Sequence, residues 1–74
     1  MSENFSADIF TLSKRELEVI RLLVKGYGNK EIAAELGLSI DTIKTHLKSI
    51  FLKLQVKGRT QAAIKVIELG LLLS

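Results

Sequence analysis

Cysteine and proline are both absent from the sequence, and histidine occurs once. Without cysteine the chain can form neither a disulfide nor a thiolate metal site, which fits a reducing, intracellular setting. One histidine cannot build a metal cluster. The sequence also offers no paired nucleophile and base and no phosphate-binding loop, so we predict that the protein is not an enzyme and holds no cofactor.

Long hydrophobic runs are also missing. Residues 1–12 lack the basic region and the apolar core of a signal peptide. The most apolar stretch, Val66–Leu73, contains Glu68 and Gly70 and is much shorter than the roughly 18 residues of a membrane span. We therefore expect no membrane partner and a cytoplasmic location.

The chain is small but has the composition of a folded domain. It has 74 residues, of which 47 % are hydrophobic and 26 % are charged, so disorder is not expected. A domain of this size buries only roughly 60 % of the surface of its unfolded chain. We therefore expect marginal stability, which a ligand or a second copy would increase.

Hydrophobic periodicity predicts an all-α fold in which residues 12–74 form one domain. Residues 1–11 show no periodicity and are predicted to be a flexible N-terminal arm, although Ile9, Phe10 and Leu12 could fold back onto the core. The first helix is expected to start with a capping box at Ser13–Glu16 and to bury a stripe centred on Leu17, Ile20 and Val24. The four predicted helices span about 14–25, 29–36, 40–54 and 60–69.

The second and third predicted helices have the spacing of a helix-turn-helix. Ala33 is a small residue where the third helix must cross the second, and Gly37 tolerates the positive φ that the turn requires. Ser39 can cap the third helix, which at roughly 22 Å is long enough to cross a DNA major groove. In this motif the second of the two helices lies in that groove. The inner stripe of the third helix is predicted at Ile43, Leu47, Ile50, Phe51 and Leu54.

Basic residues are concentrated around this third helix. The formal net charge of the whole chain is +3 and the isoelectric point is about 9.5, which points weakly to an acidic partner such as nucleic acid. Between Ser39 and Thr60 the only acidic residue is Asp41. The same segment contains five basic residues, which are Lys44, Lys48, Lys53, Lys57 and Arg59.

Several segments of the sequence together match one known family. They are Leu12–Val19, Gly26 with Asn29–Ala33, Leu38–Ser39 with Thr42–His46, Lys53–Leu54, and Arg59 with Ala62. Through these segments the sequence resembles the LuxR/FixJ-type DNA-binding domain over about Leu12 to Leu72. Members of that family are mostly bacterial transcription regulators with four helices, which bind DNA through the third helix and often dimerise through the fourth. In that family the domain usually follows a receiver or autoinducer-binding domain. The chain is therefore expected to be either a stand-alone member, similar to small spore-germination regulators, or an excised domain. Met1 favours the stand-alone alternative.

The resemblance implies roles for individual residues. Base contacts are expected from Lys44, Thr45 and Lys48. Gly28 stands where the family commonly has Ser or Thr, which removes one hydroxyl that could contact phosphate. Phosphate contacts are expected from Asn29, Lys30, Thr42, His46, Lys57 and Arg59.

Each of these roles has a structural alternative. Lys44 and Lys48 could be solvated charges on an exposed helix face. His46 could be a structural hydrogen-bond donor, and Arg59 could pair with a carboxylate of the first helix. Tyr27 is expected to pack rather than to stack on a base.

The fourth helix is more apolar than one core contact requires. We expect Thr60 to cap it, and Ala62, Val66 and Leu69 to face the core. Its remaining apolar residues suit a symmetric contact with a second copy, and the alternative is a single wider core contact covered by Phe5, Ile9 or Phe10. The predicted dimer interface consists of Ala63, Ile64 and Ile67.

Together these observations predict a nucleoid-associated, sequence-specific transcription regulator that binds double-stranded DNA as a homodimer. RNA polymerase is a further candidate partner, through an exposed face of the first helix at Glu18, Arg21 and Lys25. Two alternatives stay open. The same helices could form a protein-interaction module, or the chain could bind DNA as an architectural protein without sequence preference.

Overall fold

The computed structural model describes residues 12–70, which form four α-helices and no strand. The all-α prediction is therefore confirmed, and the helix bounds differ from the predicted ones by at most one residue. No helix in the described range is long and apolar enough to cross a membrane. The predicted arm at 1–11, with Phe5, Ile9 and Phe10, lies outside the described residues. The helices are α1 (Lys14–Val24), α2 (Asn29–Leu36), α3 (Ile40–Leu54) and α4 (Arg59–Glu68).

The predicted caps of α1 and α3 are present. At α1 the Ser13 hydroxyl accepts a hydrogen bond from the Glu16 backbone N–H at 3.0 Å, and the Glu16 carboxylate accepts one from the Ser13 N–H at 2.8 Å. At α3 the Ser39 hydroxyl accepts from the backbone N–H of Thr42 at 3.1 Å. These bonds satisfy N–H groups that have no partner inside the helix and so fix where each helix begins.

The core lies where α3 packs between α1 and α2. Its members are apolar residues with little or no exposed surface, and Leu12 joins them ahead of α1. On α1 the buried side is shifted from the predicted stripe, because Val19 and Leu23 are fully or almost fully buried while Leu17 and Val24 are only half-buried. The buried apolar residues are Leu12, Val19, Ile20, Leu23, Ile32, Ala33, Ile43, Leu47, Ile50, Leu54, Ala62 and Val66.

The turn between α2 and α3 has the predicted geometry. Gly37 has φ +69°, a left-handed conformation that strains any residue with a Cβ atom. The Leu38 N–H donates to the Ala33 carbonyl at 2.9 Å, which closes the end of α2. Ala33 is buried, as a small residue at the crossing of the two helices should be. The helix-turn-helix is therefore confirmed as a structural unit.

Two predictions about α4 are wrong. The helix begins at Arg59 and its N-cap is Gly58 rather than Thr60. Gly58 has no side chain to cap with, and the Gln61 side-chain oxygen accepts from the Lys57 N–H at 2.8 Å instead. Leu69 follows the last helical residue and is 40 % exposed, so it is not a core residue. Ala62 and Val66 are fully buried, as predicted.

Candidate nucleic-acid interface

The outer side of α3 presents three of the predicted contact residues together. Lys44, Thr45 and Lys48 are all exposed, and we refer to them as the reading face. Ile43 and Leu47, next to them in sequence, are buried in the core on the opposite side of the same helix. Because the inner side is fixed by packing, the reading face is held in one orientation relative to the rest of the domain.

One member of the reading face has its polar group engaged within the chain. The Thr45 hydroxyl donates to the backbone carbonyl of Asp41 at 3.1 Å. Its single O–H donor is thus already used, so the methyl group and the acceptor lone pairs of the hydroxyl oxygen remain for contact. A methyl group suits an apolar contact with the C5-methyl of thymine.

The start of α3 carries a pair of hydroxyl groups. The Ser39 and Thr42 hydroxyl oxygens lie 2.8 Å apart, so one of these groups donates to the other. Thr42 is half-buried, and its backbone N–H is used by the Ser39 cap. The positively polarised end of the helix dipole lies at this same position, which favours a negatively charged group nearby.

The start of α2 carries Asn29, which is half-buried, and Lys30, which is exposed. Its N-cap is Gly28, which makes no side-chain capping hydrogen bond, although the Glu31 carboxylate accepts from the Gly28 N–H at 2.7 Å. A hydroxyl at the cap position would accept from the first N–H groups of the helix. With glycine there, an external acceptor can take this role.

The structure joins Arg59 to this end of α2. One terminal guanidinium nitrogen donates to the Asn29 side-chain oxygen at 3.1 Å, and the other donates to the Tyr27 carbonyl at 2.8 Å. The proposed pairing of Arg59 with a carboxylate of α1 is therefore wrong. Tyr27 is half-buried against the core, which confirms its packing role.

The two remaining predicted phosphate contacts lie on α3 and in the loop after it. His46 is half-buried on α3, and Lys57 is exposed in the loop before α4. The phosphate contact of His46 and its structural alternative both stay predictions.

A buried carboxylate links α1 to α3, and sequence reasoning missed it. Glu16 is only 5 % exposed; it accepts from the Ser49 hydroxyl at 2.8 Å and from the Lys53 ammonium at 2.9 Å, in addition to its capping bond. Ser49 and Lys53 are four residues apart and therefore share one side of α3. The sequence spacing therefore indicates that Ser49 and Lys53 could share a partner. Only the crossing of α1 and α3 in the structure identifies that partner as the Glu16 carboxylate.

The surroundings of Glu16 act on its pKa in opposite directions. Burial raises the pKa, whereas hydrogen bonds from Lys53, Ser13 and Ser49 and the positive charge of Lys53 lower it. The net effect is a pKa below its ordinary value of 4.5. The folded state therefore favours the ionised carboxylate.

We expect Glu16→Gln to lower the free energy of unfolding by about 1–3 kcal/mol near neutral pH, because it replaces a buried, charge-assisted ion pair with Lys53 by a neutral hydrogen bond. Since the folded-state pKa is lowered, the ionised group stabilises the fold above the ordinary pKa of 4.5, and this contribution is lost as the pH falls through the folded value. Urea unfolding at about pH 7 and about pH 3 measures the difference between wild type and variant, which should shrink on acidification.

Glu35→Gln is the matched control, because Glu35 is an exposed carboxylate on α2. It should change the free energy of unfolding by less than about 0.5 kcal/mol. If the difference between wild type and Glu16→Gln were the same at both pH values, the charge of Glu16 would not be what stabilises the contact between α1 and α3.

A helix-turn-helix whose second helix has an exposed outer side with basic residues, on a small all-α scaffold, is typical of DNA-binding proteins. Comparison with known proteins agrees with this class. The profile of the family described as "Bacterial regulatory proteins, luxR family" matches residues 10–66. The chain belongs to this family, and it is a DNA-binding domain of the kind found in transcription regulators.

Relatives are found among both sequences and structures. The response regulator protein VraR of Staphylococcus aureus is 49 % identical over 53 residues, which are 72 % of this chain and 25 % of VraR. The structure of the transcription factor GerE is 39 % identical, with a TM-score of 0.74 over 80 % of this chain and 88 % of GerE. The response regulator StyR is 31 % identical, with a TM-score of 0.80 over 90 % of this chain and 34 % of StyR. The chain spans about a quarter of the length of the curated relatives it matches.

Proposed function

We propose that the chain binds double-stranded DNA in a sequence-specific manner as a homodimer, with α3 in the major groove, and so regulates transcription in the bacterial cytoplasm at the nucleoid. The observation that carries this proposal is the reading face, where Lys44, Thr45 and Lys48 stand exposed on a helix whose other side is buried. The transcription factor GerE supports it, since it shares the fold over most of its length.

The reading face has the chemistry to distinguish base pairs. Lys44 and Lys48 can donate to the O6 and N7 acceptors of guanine in the major groove. Between them, the Thr45 methyl can pack on a thymine methyl while its hydroxyl donates to the backbone carbonyl of Asp41. The alternative in which both lysines are only solvated charges predicts that DNA of any sequence is bound equally well.

Phosphate contacts would fix the orientation of α3 in the groove. On α3 we assign them to Thr42 and His46. On α2 we assign them to Asn29 and Lys30, at a helix end where the dipole and free backbone N–H groups favour an anion. Lys57 would supply a further contact from the loop before α4.

The second copy is proposed to pack on α4. Ile64 and Ile67 are 52 % and 63 % exposed, whereas Ala63 is half-buried and packs against the core. Together these three residues are the dimer face. They line one side of a shallow groove whose other walls include Leu23 and Arg59. A self-complementary contact here would bury apolar surface that the monomer leaves in water.

RNA polymerase is the proposed protein partner, and α1 is the candidate surface. Glu18, Arg21 and Lys25 lie along an open groove between α1 and α2. Leu22 and Leu36 line the same groove and are half-buried, so it combines charged side chains with apolar ones.

Selection from a random DNA library tests the proposal most directly. We expect a consensus of two symmetric half-sites whose centres are about one helical turn apart. Binding to the selected duplex should weaken steeply with salt, with a slope in log affinity against log salt of about −0.9 for each phosphate neutralised. Selection without a consensus would favour an architectural DNA-binding protein. Absence of salt-dependent DNA binding would favour the protein-interaction module.

A further inference from the structure

The hydrogen bonds of Arg59 connect two parts of the chain that have different proposed roles. Arg59 is the first residue of α4, which carries the dimer face. Its guanidinium reaches the start of α2, thirty residues earlier in the sequence, and bridges the Tyr27 carbonyl and the Asn29 amide oxygen. The side chain is half-buried there. Arg59 thus fixes the position of the end of α2 that is proposed to contact phosphate.

The chemistry of the two groups sets which way the Asn29 amide faces. A guanidinium group carries only hydrogen-bond donors, so it requires the oxygen of the amide and not the nitrogen. The NH₂ group of Asn29 is then on the other side of the planar amide. A phosphate oxygen only accepts hydrogen bonds, so this NH₂ group is the part of Asn29 that a phosphate can use.

We infer that Arg59 is a positioning residue, which holds the Asn29 amide with its NH₂ group toward a phosphate of the DNA backbone. This inference rests on the proposed function and assigns Arg59 an indirect role in place of the direct phosphate contact that the family resemblance implied. Without Arg59 the amide can rotate about its last bond and present its oxygen, which repels a phosphate oxygen.

The N-cap of α2 supports this arrangement. Gly28 provides no side-chain acceptor for the first N–H groups of the helix. A phosphate oxygen at this position can accept from those N–H groups and from the Asn29 NH₂ group together. The exposed side chain of Lys30 adds a positive charge at the same helix end, beside the Glu31 carboxylate that accepts from the Gly28 N–H.

Single phosphates of the selected duplex, replaced one at a time by neutral methylphosphonates, provide the test. We expect wild-type binding to weaken about tenfold at the phosphate contacted by Asn29. For both Asn29→Ala and Arg59→Ala, a methylphosphonate at that same phosphate should no longer change the DNA affinity. Methylphosphonates at the other contacted phosphates should still weaken binding by both variants. A general loss of fold would lower affinity for every duplex alike. If Asn29→Ala and Arg59→Ala each lost the effect of a different methylphosphonate, the inference would be overturned, because Arg59 would then contact a phosphate of its own.

A double-mutant cycle gives an independent readout. If each single variant weakens binding about tenfold, the double variant should be little weaker than either, since both remove one contact. A loss near the product of the two, about a hundredfold, would overturn the positioning role. Arg59→Lys should behave like Arg59→Ala, because an ammonium group cannot bridge both acceptors with the same planar geometry. Retention of wild-type affinity by Arg59→Lys would indicate that charge alone matters.

Asn29→Asp tests the role of the NH₂ group in a variant expected to fold. The aspartate keeps an oxygen for Arg59 but has no N–H donor and adds a negative charge. Its thermal stability should match wild type, and its DNA affinity should fall further than that of Asn29→Ala. Arg21→Ala removes the same charge as Arg59→Ala from an exposed site on α1 and should leave the methylphosphonate pattern unchanged. If the wild-type chain bound no DNA, the proposed function would fail, whereas binding with wild-type affinity by Asn29→Asp would overturn only the inference.

Discussion

Lys48→Ala is expected to weaken binding to the selected DNA site by about 1–3 kcal/mol, a loss of roughly 5- to 150-fold. Lys48 is exposed on the outer side of α3, and the substitution removes its donors without touching the core. A lost base contact also relaxes the sequence preference at one position of each half-site. A repeated library selection with the variant measures this change directly.

Random-sequence DNA separates a base contact from a phosphate contact. Lys48→Ala should lose much less affinity on random DNA than on the selected site, because nonspecific binding depends on phosphate charge. Lys25→Ala is a matched control, since Lys25 is an exposed lysine directly after α1. It should bind both DNAs almost as well as wild type. An equal loss by Lys48→Ala on both DNAs would assign Lys48 to the backbone instead.

Ile64→Gln combined with Ile67→Gln is expected to abolish dimerisation and to weaken binding to the two-half-site duplex by about 100-fold. The two isoleucines are the most exposed residues of the dimer face. Glutamine keeps a high helix propensity and adds no charge, so the monomer fold and its attraction to DNA should persist. Sedimentation measures the oligomeric state, and titration of the duplex measures the affinity.

A duplex with a single half-site controls for damage to the reading face. The double variant should bind this short duplex as well as wild type does, because one domain suffices there. Ile67→Val, which keeps an apolar side chain at the same position, should still dimerise. A wild-type chain that stayed monomeric at high concentration and on the full duplex would contradict the dimer.

Most of the fold follows from local patterns. The start of α1 is marked by the capping box of Ser13 and Glu16, the start of α3 by Ser39, and the turn between α2 and α3 by Gly37. These signals depend on hydrogen bonds and dihedral preferences that act within a few residues, and the structure confirms all of them. Four of the five residues predicted for the inner stripe of α3 are buried, and Phe51 is half-buried against the core. This stripe could be predicted because residues at helical spacing share one side of the helix whatever packs against them. The exposure of the reading face follows from the same spacing.

The features that sequence reasoning missed depend on how the helices cross. The sequence identifies Glu16 only as part of a capping box, because its bonds to Ser49 and Lys53 join residues more than thirty positions apart. The link from Arg59 to Asn29 is of the same kind. The predicted cap of α4 is wrong for a local reason. The hydroxyl of Thr60 is a better capping group than Gly58, which has no side chain, yet Gly58 is the N-cap.

Buried and exposed residues alternate along α3. Ile43 and Leu47 are buried in the core, whereas the three residues of the reading face between and after them are exposed. Substitutions at the three exposed positions remove no core contact, so each should change the free energy of unfolding by no more than about 0.5 kcal/mol. Under the proposed function, the domain is therefore a scaffold whose DNA preference can be changed without changing its core. Libraries randomised at these three positions should yield stable proteins with new DNA preferences, without any compensating change in the core.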